Sequence, residues 1–132
     1  MSEGDFSARL VLDSDPVSAV DLALFAAASG DHNPLHLDAE VARSAGFERP
    51  VVHGMLTMAR VARLFTATFG ADRVRALETR FAGVAMLGDA IRVEAALEGV
   101  RDGCADYSIS AHTGDGRELV TGHARVAPGQ RQ

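Results

Sequence analysis

The chain has no lysine and no tryptophan, and only one cysteine and one tyrosine in 132 residues. Each shortage excludes something. Cys104 has no partner for an internal disulfide, so the fold must be held by packing. A lone thiol fits a reducing compartment, with the cytoplasm as the expectation. The cations, histidine aside, are all arginine, yet the net charge is −5 and no arginine cluster follows one face, which argues against a nucleic-acid partner. With the excess of alanine, the missing lysine reads as genome composition before function. No apolar run approaches the roughly 18 residues that suggest a membrane span. The opening M-S-E-G-D-F lacks the basic and apolar regions of a signal peptide. There are no repeats, linkers or low-complexity segments. The length suits one domain over 1–132, with a loose tail from about Pro128.

What is present falls into two halves with different periods. Arg9 to Asp13 is strand-like. Ser18 and Asp21 have the form of a capping box, and a helix is expected over 19–28 with Val20, Leu24 and Ala27 on one face and Leu22 and Phe25 close to it. Asp38 can cap a short helix from Ala39 to Ser44, stopped by Gly46. A third helix opens at His53-Gly54 and runs to about Thr68. Met55, Met58, Ala59, Ala62 and Phe65 form one stripe, Leu56, Val61 and Leu64 widen it, and only Arg60 and Arg63 mark a wet side, which predicts a mostly buried helix. Thereafter the chain alternates. Val74 to Val84 is extended. Ile91, Val93, Ala95 and Leu97 alternate with Arg92, Glu94, Ala96 and Glu98; Tyr107, Ile109 and Ala111 alternate with Ser108, Ser110 and His112; Leu119 to Val126 closes the series. One early strand, helices and then a meander of four strands predict an α+β domain with a single antiparallel sheet of about five strands, curled around the long helix. So small a sheet leaves edges open, and a dimer that extends it is the expected remedy.

The chemistry concentrates between Ala28 and Met58. Asp31 and His36 are five residues apart with Pro34 between them. Pro34 lacks an N–H and biases Asn33 away from helical angles, so the two side chains sit on a bent segment where both can turn into one space. A carboxylate and an imidazole facing one small space can handle a water molecule by general acid–base chemistry. Taken singly, Asp31 reads as a turn cap and His36 as a loop histidine. His32 and His36 at i, i+4, with Asp31 and Asp38 near, raise the question of a metal. Pro34 spoils the helical alignment that such a site needs and no cysteine helps, so no metal is expected. His53 reads as shaping the start of the third helix, and His112 and His123 as surface residues.

The runs S-G-D-H-N-P-L-H-L-D at 29–38 and A-G-F-E-R-P-V-V-H-G-M-L at 45–56 resemble the MaoC-like, R-specific enoyl-thioester hydratases and dehydratases of the hotdog fold. The likeness extends over nearly the whole chain, and H-G-M-L-T-M also resembles the catalytic subunit of mycobacterial-type hydroxyacyl-ACP dehydratases. The resemblance implies a hotdog domain and a lyase that interconverts trans-2-enoyl and (R)-3-hydroxyacyl thioesters without metal or redox cofactor. It implies Asp31 and His36 as the catalytic dyad, Asn33 and Ser29 as its support, and the N–H of Gly54 as donor to the thioester carbonyl. Met55 and Phe47 are candidates for an acyl pocket, and Arg43, Arg49 and Arg80 for phosphates of the carrier. The implied substrate is carried on coenzyme A or acyl carrier protein. The expected assembly is a homodimer, with a heterodimer of related hotdog subunits as the other arrangement. A thioesterase on the same fold and a non-catalytic acyl-binding subunit stay open as rivals. The segment from Phe81 to Gly88 has no proline, where family members often have them, so the shape of that loop is this chain's own.

Overall fold

The structure, a computed structural model, describes residues 6–129. The opening M-S-E-G-D and the last three residues of the expected tail lie outside the described residues. The elements in order are β1 (Arg9–Ser14), α1 (Ala19–Ser29), a 3-10 turn (Pro34–His36), α2 (Ala39–Ser44), α3 (Gly54–Phe69), a second 3-10 turn (Ala71–Arg73), β2 (Val74–Phe81), β3 (Ile91–Arg101), β4 (Cys104–Thr113) and β5 (Glu118–Val126). The starts follow from the side chains that cap them. Ser18 Oγ accepts from the Asp21 N–H at 3.1 Å, and Asp21 Oδ2 accepts from the Ser18 N–H at 2.9 Å. That backbone hydrogen bond holds the Asp21 carboxyl below its ordinary value. Asp38 caps α2 through the N–H groups of Glu40 and Val41.

The strands form one antiparallel sheet in the order β1-β3-β4-β5-β2. This corrects the expected four-strand meander. Only β3, β4 and β5 follow one another; β2 lies beyond β5, and the chain crosses the sheet between Phe81 and Ile91. The close approach of β2 depends on Gly122 in β5, because a Cβ there would run into the main-chain oxygen of Glu78. α3 packs against β1, β3 and β2. β1 and β2 are the two outermost strands, so a flat sheet would hold them about 19 Å apart at the usual inter-strand spacing. Contact with both means that the sheet curls around the helix. Val61, Leu64 and Phe65 of α3 enter the core with Leu22, Ile91, Val93, Tyr107, Leu119, Val120 and Val126.

Two helical faces differ from expectation. In α1 the buried residues are Leu22 and Ala26, with Phe25 half-buried; Val20 and Leu24 are 65% and 64% exposed. α1 is apolar nearly all round, so its periodicity does not select a face. In α3 the buried line is Thr57, Val61, Leu64 and Phe65, while Met55 is 61% exposed and Ala59 is also at the surface. The first turn of α3 meets the segment after α1 rather than the centre of the sheet. β2 also ends early, at Phe81, and residues 82–85 run on as a loop. No helix of the described residues is long and apolar enough to cross a membrane.

Candidate active site

The dyad segment is built by short polar bonds, each made by a residue next to the one it fixes. Gly30 ends α1 in the left-handed region, φ 78°, and turns the chain outward. Ser29 Oγ donates to the Phe25 carbonyl at 2.7 Å and accepts from the Asp31 N–H at 3.2 Å. Asp31 Oδ1 accepts from the Asn33 N–H at 3.3 Å, and Asn33 Oδ1 accepts from the Leu35 N–H at 3.1 Å. These are two successive Asx turns, and Pro34 then opens the 3-10 turn that ends in His36.

The outcome is that Asp31 Oδ2 lies 3.6 Å from His36 Nε2. His36 Nδ1 lies 2.6 Å from the Val51 carbonyl oxygen. A carbonyl can only accept, so in the neutral ring Nδ1 carries the hydrogen and Nε2 turns its lone pair toward the carboxylate. Two acceptors at that separation do not bond each other. A water molecule beside them can donate one hydrogen to each. The Asp31 side chain is 53% exposed and that of His36 only 11%, so the pair has one open member and one enclosed member.

Val51 belongs to the segment that leads into α3, and it forms a bridge with Met86. His53 stands at the N-cap of α3 and makes no capping bond. The first N–H groups of α3, those of Gly54 and Met55, lack acceptors inside the helix and lie at its positive end. The His53 ring stacks on that of His36, with 3.7 Å between centroids and 19° between planes, so the start of α3 lies beside the dyad segment. A Cβ on Gly54 would stand 3.5 Å from the Phe81 ring, an ordinary contact. Nothing inside the chain therefore demands glycine there.

Local bonds and the His53–His36 stack bring Asp31, His36, Ser29, Asn33 and the start of α3 at Gly54 to one neighbourhood. Met55 follows Gly54 and is exposed. Phe47 is left apart: it lines a separate surface hollow with Arg49, Met86, Asp115 and Arg117. Arg49 is engaged by Asp89 at 3.3 Å. His53 is the functional candidate whose contacts sequence reasoning missed. It was legible as the residue before the helix, but its ring stack depends on a segment 17 residues away. A hollow of about 500 Å³ lies across the outer face of the sheet beside Glu78, Glu98 and His123. Its Glu98–His123 pair, 3.1 Å apart, has both side chains open to solvent, 51% and 68% exposed, whereas His36 is 11% exposed and lies beside the uncapped start of α3, so chemistry favours the Asp31–His36 site.

Asp31, His36 and His53 each place one ligand atom within 4.8 Å of the others, close enough to suggest a cation. The ring stack argues against one. In stacked imidazoles the lone pairs lie in separate, nearly parallel planes, so an ion at about 2.1 Å from both nitrogens would lie far out of at least one ring plane. His36 Nδ1 and His53 Nε2 also face carbonyl oxygens.

Comparison with known proteins agrees with this architecture. The model of the MaoC like domain matches residues 8–115. The chain belongs to the MaoC-like family. It is 34% identical over 117 residues to the (R)-specific enoyl-CoA hydratase of Aeromonas caviae, which covers 82% of this chain and 84% of that one. It is 32% identical over 97 residues to the peroxisomal multifunctional enzyme type 2 of Drosophila melanogaster, but spans only 16% of that protein's length. Among solved structures, the R-hydratase PhaJ1 of Pseudomonas aeruginosa superimposes with a TM-score of 0.86 at 27% identity, over 98% of this chain and 86% of that one. The MaoC-like chain thus has the hotdog architecture expected of it, one curled five-stranded antiparallel sheet around α3.

Proposed function

We propose that this MaoC-like protein is a hydro-lyase that interconverts trans-2-enoyl and (R)-3-hydroxyacyl thioesters of coenzyme A or acyl carrier protein. The observation that carries the reading is the Asp31–His36 pair, two facing acceptors 3.6 Å apart, beside the uncapped start of α3. Similarity to an (R)-specific enoyl-CoA hydratase supports it.

In the hydration direction a water molecule donates one hydrogen to Asp31 Oδ2 and one to His36 Nε2. Its oxygen forms a bond to C3 of the enoyl thioester as one of its protons passes to the dyad. Electron density moves through C2 to the thioester oxygen, and a proton from the dyad is delivered to C2. Dehydration runs the same steps backward. The two groups act as a coupled pair that takes one proton and gives one. The charge that builds on the thioester oxygen meets the Gly54 N–H, and a donor of this kind is typically worth about 10²–10³ in rate. Ser29 and Asn33 support the dyad by fixing the main chain at Asp31 and at Leu35, the residue before His36. Met55 in the first turn of α3 and Phe81 at the end of β2, both exposed and both beside Gly54, border the approach for the acyl chain. The donor set asks for no metal or redox group, since each step is a proton transfer or an addition. A reducing, cytoplasmic setting suits the single thiol.

The working unit in this reading is a homodimer. β2 pairs with β5 on one side only and is the longer of the two edge strands, with Arg75, Ala76, Glu78, Arg80 and Phe81 exposed. A second copy that adds its own β2 would cover that edge. Light scattering of the purified chain tests this: twice the chain mass supports it, and a monomer that becomes active only with a related subunit supports the heterodimer instead.

The deciding experiment follows the loss of the conjugated enoyl-thioester absorbance of crotonyl-CoA with wild type and Asp31→Asn side by side. Loss with wild type alone is expected. Equal rates for both would remove Asp31 from the mechanism. Release of free thiol from a saturated acyl-CoA would favour a thioesterase.

A further inference from the structure

We propose that His53 is a positioning residue that holds the water-handling dyad and the Gly54 N–H in one fixed arrangement. This rests on the reading of Asp31 and His36 as the dyad. His53 is 1% exposed, the least exposed ionisable side chain of the site. Its Nε2 lies 3.1 Å from the main-chain oxygen of Asp31. That oxygen only accepts, so in the neutral ring Nε2 carries the hydrogen. Nδ1 is buried and has no partner among the described residues. Within the chain the ring therefore makes a single hydrogen bond.

The ring also meets two others. It stacks face to face on His36, with centroids 3.7 Å apart, and Phe25 of α1 packs against it at 4.9 Å, tilted by 58°. One side chain thus touches the carbonyl of Asp31, the ring of His36 and the helix that leads into the dyad segment, and its own backbone immediately precedes Gly54. The acid–base half and the carbonyl-binding half of the site come from segments more than 15 residues apart in the chain, and His53 is where they meet. The two histidines carry opposite tautomers, each set by a main-chain carbonyl: Nδ1–H on His36 from Val51, and Nε2–H on His53 from Asp31. The arrangement leaves His36 Nε2 bare for water and keeps His53 out of the proton transfers. Misplacement of a reacting group by about 1 Å can cost about 10²-fold in rate without weakening binding, and that is the loss His53 prevents.

The test compares His53→Phe with His53→Gln. Phenylalanine keeps a flat ring against Phe25 and His36 and removes the N–H; glutamine places an amide N–H near the position of Nε2. The expected result is that kcat of His53→Phe falls by about 10²-fold, with KM for the enoyl thioester little changed. His53→Gln should recover most of kcat and keep the wild-type pH–rate profile. Wild-type kcat in the Phe variant, or a Gln variant as slow as the Phe variant, overturns the proposal. So does loss of one limb of the pH–rate profile in the Gln variant, which would make His53 itself an acid–base group. Nitrogen-15 NMR of the wild type decides the point even where a variant does not fold. Hydrogen on Nε2 of His53 and on Nδ1 of His36 is expected, and hydrogen on Nδ1 of His53 is inconsistent with the proposal. Should the wild type hydrate no enoyl thioester, the activity reading fails on its own, and the NMR result still judges this one.

Discussion

His36 is bonded through Nδ1 to the carbonyl of Val51, 15 residues along the chain, at 2.6 Å. That bond orients the ring so that Nε2, and not Nδ1, faces Asp31. The tautomer is thereby set by main chain that no side-chain substitution removes. Replacing His36 by glutamine removes the group that faces Asp31 and takes up a proton, with little reason for the fold to fail. Asp31→Asn and His36→Gln should each lower kcat by about 10²–10⁴, the usual worth of a positioned acid–base group. Because the two act as a unit in the proposed reaction, the double variant should be scarcely slower than the worse single one. Initial rates on crotonyl-CoA, with thermal melts as the control for folding, check both statements.

Gly54 separates a catalytic role from a structural one. A methyl group at this position meets the Phe81 ring at 3.5 Å, which is ordinary contact. Alanine is also the better helix former. Gly54→Ala should therefore melt at or slightly above the wild-type temperature. In the proposed reaction the added methyl group crowds the approach of the thioester oxygen to the N–H, so kcat/KM should fall by about 10²-fold or more, the scale of one lost carbonyl donor. A variant that keeps full activity would move the carbonyl site elsewhere.

Legibility from sequence varied with the source of each feature. The capping box at Ser18 and Asp21, the stop at Gly30, and the dyad segment were readable because each is made by residues within four positions of one another. Strands β3 and β4 were readable by their alternation: one face of β4 is buried along its whole length, and one face of β3 from Ile91 to Ala95. The place of β2 was not, since nothing in Val74–Phe81 says whether it pairs with β3 or β5; the answer lies in Gly122, which admits a close neighbour. The inward face of α1 was not legible either, because alanine, valine and leucine surround that helix. The stack of His53 on His36 joins two segments that each look complete alone.

Asp89 ties the crossing between β2 and β3 to the rest of the domain. Its side chain is only 11% exposed and accepts from the Met86 N–H at 2.8 Å, Arg117 at 2.7 Å and Arg49 at 3.3 Å. Arg117 also reaches the Val84 carbonyl and Asp115. The hydrogen bond from Thr113, with Arg117 adding to it, holds the Asp115 carboxyl below its ordinary value. Asp89→Asn leaves a near-isosteric group that cannot serve three donors. Hydrogen bonds to charged groups are worth about 1.5–3 kcal/mol, so a loss of that order in unfolding free energy is expected by urea titration. Activity at low temperature should change little.

Tyr107 gives a prediction at the opposite end of the pH scale. It is fully buried in β4, packs edge-on against Phe65 at 5.8 Å, and donates its hydroxyl to the Ser7 carbonyl at 2.8 Å. Burial pushes its pKa above the ordinary value. A group whose folded value is raised contributes stability below the unfolded pKa, near 10, and loses that contribution as pH rises through the folded value. The melting temperature of the wild type should therefore fall on the alkaline side of pH 10, as the unfolded state releases the proton that the folded state keeps. Tyr107→Phe should cost about 0.5–1.5 kcal/mol near neutrality, the net worth of one hydrogen bond. It should also flatten this alkaline decline, because no ionisable group is left at the position. Melts of both proteins from neutral pH to about pH 11 measure the two effects together. Parallel curves for wild type and variant across that range would mean that the alkaline loss comes from other groups.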